Sequence, residues 1–241
     1  MYPNTRCSPV ELSGFSHLEG VLDVIYNPAC TELLQQAKDR NLVAMNGLLM
    51  LVAQAKEAAE WFTGASIPDS CIAPIHSLLR RDMENIVLIG MPGSGKSSTG
   101  RIVAEKAGKR FVDADLYLQE KTGRSIPEIF ASQGENAFRA LETQVLQELG
   151  KQSGLVIATG GGCVTREENE PLLRQNGTVF CLHRALDKLP ADGRPLSQST
   201  RLTEMYRLRK PLYERFADHH IDSDGTVEQA AQQILDIWEE L

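Results

Sequence analysis

The segment NIVLIGMPGSGKSS, residues 85–98, decides the fold of most of this chain. An apolar stretch runs into a glycine-rich turn, and residues 90–97 match the pattern GxxxxGK[ST] without a mismatch. A loop of this kind joins a buried strand to the N-terminus of a helix, where successive backbone N–H groups surround a phosphate. The segment therefore predicts an α/β domain that binds nucleotide phosphates.

The polar and glycine positions of this loop are the predicted phosphate ligands. Gly93 and Gly95 permit backbone conformations that point N–H groups inward. Lys96 places a positive charge on the transferred group, and Ser97 offers its hydroxyl to Mg²⁺. An ordinary glycine-rich turn is the alternative, which the flanking strand and helix patterns disfavour. The expected nucleotide-binding residues are Gly93, Ser94, Gly95, Lys96, Ser97 and Ser98.

Beyond the loop, apolar strands alternate with amphipathic helices. Four more strands are predicted, at residues 110–115, 155–161, 177–183 and 219–222. Such strands, separated by helices, indicate a parallel sheet covered on both faces, with ligands at the carboxyl ends of the strands. Thr226 and Gln229 have the spacing of a capping box at the start of the last helix.

The composition excludes several classes of partner. With 241 residues, 42% hydrophobic, the chain can form one full domain and a smaller one. The formal charge of −7 argues against nucleic-acid or anionic-membrane binding. Without a signal-peptide pattern or an apolar run of about 18 residues, a cytosolic location is expected. The five cysteines lack metal-binding or disulfide spacing, so we expect neither zinc nor disulfides.

Acidic residues follow the second predicted strand. Asp113 and Asp115 lie two apart, so an extended backbone would point both to one side of the sheet, one toward Mg²⁺ and one toward the acceptor hydroxyl. A solvated turn is the alternative. In the next predicted helix Arg139 and Glu142 can pair at i, i+3, which taken alone is an ordinary surface salt bridge.

Glycines 160–162 follow the third strand, where bare backbone lets a ligand approach closely. A tight turn would need one glycine rather than three. Further on, Arg194 stands in a polar Gly/Pro segment suited to a mobile lid, and Arg209 in a basic helix expected to break near Pro211. Each arginine alone is compatible with a solvated surface residue.

Together these segments resemble the shikimate kinase family over residues 85–241. The resemblance rests on GMPGSGKSS, FVDADLYLQEKTGRSIPEIFASQGENAFRALE, TGGGCV, GRPL and RKPLY in that order. It implies a P-loop NTPase, nucleoside-monophosphate-kinase-like fold with a five-stranded parallel sheet and flanking helices. It also implies phosphorylation of the 3-hydroxyl of shikimate by ATP and Mg²⁺, in the chorismate pathway of aromatic amino-acid biosynthesis.

The resemblance assigns roles residue by residue. It implies that Asp115, Arg139, Gly161 and Arg209 contact shikimate, and that Ser97 and Asp113 hold Mg²⁺. It makes Lys96, Asp115 and Arg194 the catalytic residues, with Arg194 as the lid arginine on the phosphates. The segment HRALDKLPAD is shorter than in the family, which leaves Lys188 as a weak candidate for the adenine side.

Residues 1–70 form a small α/β segment that resembles the C-terminal end of shikimate dehydrogenase, and residues 71–84 are the predicted linker. In that family the positions matching Tyr26 and Gln54 touch shikimate, and those near Gly47 and Met50 lie by the nicotinamide. The segment lacks a GxGxxG turn, so dehydrogenase activity is not expected.

Three other functions compete with this reading. They are another small-metabolite kinase of the gluconate type, a dehydrogenase, and a catalytically silent binding module. The pair Arg139 and Arg209 beside the three glycines favours shikimate, because guanidinium groups bind carboxylates. A monomeric kinase domain is expected, with association through residues 1–70 as the alternative.

Overall fold

The computed structural model describes residues 7–189 and 196–240, without the side chains of residues 196–201. The chain divides into two compact units, Met1–Glu84 and Asn85–Leu241. No helix in the described ranges is long and apolar enough to cross a membrane.

The first unit is a small α/β structure. Its elements are β1 (Gly20–Leu22), α1 (Glu32–Asp39), β2 (Val43–Met45), α2 (Leu48–Thr63) and α3 (Ile72–Met83). The two short strands pair in parallel. Lys56 on α2 forms ion pairs with Glu60 and Asp69, at 3.1 and 2.9 Å between nitrogen and oxygen. Its buried core is small, whereas Trp61 and Phe62 at the end of α2 are about 90% exposed.

The predicted linker, residues 71–84, is not irregular. Residues 72–83 form the helix α3, which packs against α2. The segment contains no glycine, its proline stands in the first turn, where a proline is tolerated, and Arg80 and Arg81 occupy the last turn near the negative end of the helix dipole. These preferences favour a helix over residues 72–83, although residues 63–70 before it contain the glycine, proline and serine typical of a loop.

The second unit is built on five parallel strands, as predicted. They are β3 (Asn85–Gly90), β4 (Arg110–Asp113), β5 (Leu155–Ala158), β6 (Gly177–His183) and β7 (His219–Asp222), in the order β4-β5-β3-β6-β7. The helices are α4 (Lys96–Ala107), α5 (Ala114–Thr122), α6 (Ile126–Gly150), α7 (Asn169–Arg174), α8 (Leu196–Phe216) and α9 (Val227–Glu240).

Apolar cores cover both faces of the sheet. Side chains alternate along β3, so Val87 and Ile89 belong to the core shared with α5, α6, α7 and α8, while Ile86 and Leu88 belong to the core shared with α4 and α9. The capping box of α9 is confirmed: Gln229 N donates to Thr226 Oγ1 at 3.2 Å, and Thr226 N donates to Gln229 Oε1 at 3.0 Å.

Two local predictions in this unit are wrong. Strand β4 ends at Asp113, and Asp115 lies in the first turn of α5. The carboxylate of Asp113 accepts hydrogen bonds from the first backbone N–H groups of α5, so it starts a helix where an extended backbone was expected.

Helix α8 also runs through Pro211 without a break, and Tyr213 and Phe216 beyond the proline are buried, which anchors its C-terminal turns.

Candidate active site

The loop between β3 and α4 encloses the side chain of Lys96. The ammonium group donates to the carbonyl oxygens of Gly90 and Met91 at 3.0 and 2.9 Å, and the residue is 8% exposed. Burial lowers the pKa of Lys96, and nearby carboxylates oppose that shift. A buried ammonium beside a helix N-terminus is placed to neutralise phosphate charge.

Ser97 and Asp113 form an oxygen-rich pair beside the loop. The hydroxyl of Ser97 donates to Asp113 Oδ2 at 2.6 Å, while Asp113 Oδ1 accepts from the backbone N–H of Asp115 at 3.1 Å. A hydroxyl and a carboxylate are hard oxygen donors of the kind that Mg²⁺ takes from a protein when phosphates supply further ligands. The two predicted magnesium ligands therefore fit that ion.

Asp115 lies next to this pair although its backbone is helical. It lines, with Asp113, Lys96 and Gly161, a cavity of about 490 Å³. Burial raises the pKa of Asp115, as does the charge of Asp113, while Lys96 and Arg139 act in the opposite direction. A carboxyl group with a raised pKa is a better proton acceptor than an ordinary exposed aspartate.

The three glycines after β5 bring backbone against charged side chains. A Cβ atom at Gly160 would stand 2.8 Å from Asp115 Oδ1 and 2.6 Å from Glu142 Oε1, and one at Gly162 would overlap the guanidinium of Arg139. Any larger residue would displace these groups, because carbon and oxygen atoms do not approach so closely without a bond. The glycines therefore let the backbone of the turn lie directly against Asp115, Glu142 and Arg139.

Arg139 and Glu142 form a pair that is not on the surface. Arg139 Nη1 donates to Glu142 Oε2 at 2.7 Å, and the side chains are 11% and 3% exposed. The interpretation of this pair as an ordinary surface salt bridge is wrong, because α6 packs it against the glycine turn. Within the described ranges, Arg139 Nε and Glu142 Oε1 have no hydrogen-bond partner.

Arg209 approaches the same turn from α8. Its Nη1 donates to the carbonyl of Gly161 at 3.1 Å, and the hydroxyl of Tyr213 donates to the same oxygen at 2.5 Å. Burial raises the pKa of Glu142, and the charges of both Arg139 and Arg209 lower it. The two arginines thus converge around one glycine turn, next to Asp115.

Sequence reasoning missed Arg184. This residue lines the 490 Å³ cavity and also a second cavity of about 270 Å³, which touches Ser94, Thr99 and the segment after β7. Its position directly after β6 was the available signal, because ligands bind at the carboxyl ends of parallel strands. Lys188 instead forms an ion pair with Asp224 at 3.4 Å, and Arg194 lies outside the described residues.

Comparisons with known proteins agree on one family. Residues 92–239 match the family described as shikimate kinase. Among curated proteins, the shikimate kinase of Thermodesulfovibrio yellowstonii is 41% identical over 169 residues, which are 66% of this chain and 97% of the relative. That of Nitrosomonas europaea is 41% identical over 160 residues, covering 63% of this chain and 76% of the relative.

Solved structures give the same result. The shikimate kinase of Acinetobacter baumannii in complex with shikimate is 37% identical, with a TM-score of 0.61, over 67% of this chain and 96% of that one. The shikimate kinase of Aquifex aeolicus is 31% identical, with a TM-score of 0.58, over 65% of this chain and 96% of that one.

Proposed function

This chain belongs to the shikimate kinase family, and from that membership we infer that it transfers the γ-phosphoryl group of ATP to the 3-hydroxyl of shikimate. It is a kinase with a P-loop fold. The observation that carries the conclusion is the convergence of the phosphate loop, Asp115 and the arginine-flanked glycine turn on one site.

The acceptor side of the site suits a small carboxylate-bearing polyol. Arg139 and Arg209 supply guanidinium groups for the carboxylate, which they can bind through paired N–H···O bonds. The Gly161 backbone and Asp115 supply hydrogen-bonding groups for the hydroxyls. Glu142 is a positioning residue in this proposal, because it holds Arg139 in place through the 2.7 Å bond.

Asp115 acts as the group that orients the reacting hydroxyl. It accepts the hydroxyl proton late in the reaction, as the hydroxyl oxygen bonds to the γ-phosphorus and the bridging oxygen leaves with ADP. Lys96 neutralises the charge of the transferred group. Ser97 and Asp113 would hold Mg²⁺, which supplies charge stabilisation on the phosphates when bound. Catalysis then depends mainly on positioning and electrostatics, because phosphoryl transfer leaves little covalent work for the protein.

The nucleotide extends from the phosphate loop to the second cavity. The 270 Å³ cavity lies beside Ser94 and Gly95 of the loop, on the side of β7 and α9, and the 490 Å³ cavity holds the acceptor groups. The nucleoside therefore occupies the smaller cavity, and Arg184, which lines both cavities, lies near the phosphates. The loop residues Gly93 and Ser98 complete the phosphate contacts, together with Arg194 as the lid arginine.

The first unit contributes no catalytic group in this proposal. We propose that residues 1–70 are similar to the C-terminal end of shikimate dehydrogenase and have no dehydrogenase activity of their own. The kinase unit acts as a monomer in the cytosol.

A coupled assay of ADP release tests the proposed function. Release from ATP and Mg²⁺ is expected to depend on shikimate, and gluconate at the same concentration should not replace it. A gluconate-dependent rate, or equal ADP release with and without shikimate, would contradict the assignment. A parallel measurement of NADPH formation with shikimate and NADP⁺ should show no activity.

A further inference from the structure

A second cluster of chemically reactive side chains lies on strands β6 and β7, and none of its members is assigned to phosphoryl transfer. Cys181 and His183 stand two apart on β6, and Cys181 is in register with His220 on β7. Alternation along a strand therefore places the three side chains on one face of the sheet. Their potential ligand atoms all lie within 4.8 Å of one another.

We propose that Cys181, His183 and His220 form a zinc-binding site that joins the edge strand β7 to β6. One thiolate and two imidazoles are the donor set that Zn²⁺ takes in proteins, whereas Mg²⁺ prefers oxygen. The thiol proton passes to solvent when the metal binds. Sequence spacing did not reveal the set, because 37 residues separate the two histidines.

The two histidine nitrogens already lie near the separation that one shared ion requires. His183 Nε2 and His220 Nδ1 are 2.7 Å apart. With Zn–N bonds of about 2.0–2.1 Å, tetrahedral coordination would separate them to about 3.3 Å. His220 is exposed and gives the ion a path from solvent, whereas Cys181 is buried below it.

Charges of both signs surround the cluster. The carboxylate of Glu214 on α8 acts electrostatically on both Cys181 and His183, and Asp222 acts on His183 as well. Two lysines act with the opposite sign: Lys96 on Cys181 and Lys210 on His183. Lys210 also lies 3.8 Å from Glu214. A water molecule can fill the fourth position of a tetrahedral site.

Cobalt titration of the metal-stripped full-length chain, without Mg²⁺ or nucleotide, tests the proposal. Co²⁺ replaces Zn²⁺ in such sites, and a thiolate ligand produces a near-ultraviolet charge-transfer band. We expect this band at one Co²⁺ per chain, its loss on addition of one equivalent of Zn²⁺, and its absence in Cys181→Ser. His220→Gln should weaken binding by at least about tenfold, the size of effect seen even for outer-shell partners.

The neighbouring histidine supplies a matched control. His219 lies on the opposite face of β7, where its ring stacks on Phe180 at 5.3 Å between centroids. His219→Gln should bind Co²⁺ as the unmodified chain does, and so should Cys71→Ser. Absence of a thiolate band, or equal weakening by His219→Gln and His220→Gln, would overturn the proposal. Because His220 is exposed, its replacement tests the site even if Cys181→Ser fails to fold.

Discussion

Replacing Arg209 by alanine separates substrate binding from chemistry. In the structure its guanidinium donates one hydrogen bond to Gly161 O, and Tyr213 donates a second to the same oxygen. The turn therefore keeps a hydrogen bond from α8 when Arg209 is removed. What the variant loses is the contact to the carboxylate of shikimate, which the proposal assigns to Arg209 together with Arg139.

The expected magnitude follows from that contact. A hydrogen bond to a charged group contributes about 1.5–3 kcal/mol, which corresponds to a rise of roughly 10- to 150-fold in the KM for shikimate. The KM for ATP and kcat should change little, because the carboxylate lies across the ring from the reacting hydroxyl, and binding lost equally from ground and transition states appears in KM.

Steady-state kinetics, with shikimate and ATP varied in turn, measures the KM for each substrate and kcat. Arg207→Ala is the matched control, because Arg207 lies on the same helix and is exposed; its KM values should stay near those of the unmodified chain. A rise in the KM for ATP with that for shikimate unchanged would refute the reasoning and place Arg209 on the nucleotide. Equal effects of the two substitutions would also contradict it.

Three further predictions concern the catalytic groups and the first unit. Lys96→Ala and Asp115→Asn should each lower kcat by at least about a hundredfold, the effect of losing one preorganised charge; near-normal turnover in either would remove the proposed site. Burial raises the pKa of Asp115 above its unfolded value, so the stability that this group contributes is present at low pH and is lost as the pH rises through the folded pKa. Thermal unfolding should therefore show Asp115→Asn more stable than the unmodified chain at pH 7, with the difference shrinking toward pH 4, and a difference independent of pH would contradict this cause. Residues 85–241 expressed alone should keep most of the kinase activity, because they form a compact unit; insolubility or loss of most activity would make residues 1–84 an integral part of the enzyme.

Much of the fold and part of the site could be predicted from local sequence. The phosphate loop is one contiguous stretch whose ligands are largely backbone N–H groups and a helix N-terminus, so its pattern is sufficient to locate it. The five strands of the second unit and the capping box at Thr226 and Gln229 are likewise set by neighbouring residues. Helix α3 is longer than the single helical turn that was expected within the linker, because the segment contains no glycine and its basic residues Arg80 and Arg81 lie in the last turn.

Other features depend on groups that are distant in the sequence, and only the tertiary structure decided them. From its sequence, Asp113 could end a strand or begin a helix. In the structure its carboxylate accepts hydrogen bonds at the N-terminus of α5, so Asp115 is helical. The approach of Arg139 and Arg209 to glycines 160–162 requires α6 and α8 to pack at one end of the sheet. The cluster of Cys181, His183 and His220 arises from the register between β6 and β7. Such contacts follow from strand pairing and core packing, which join residues tens of positions apart and leave no periodic trace in the sequence.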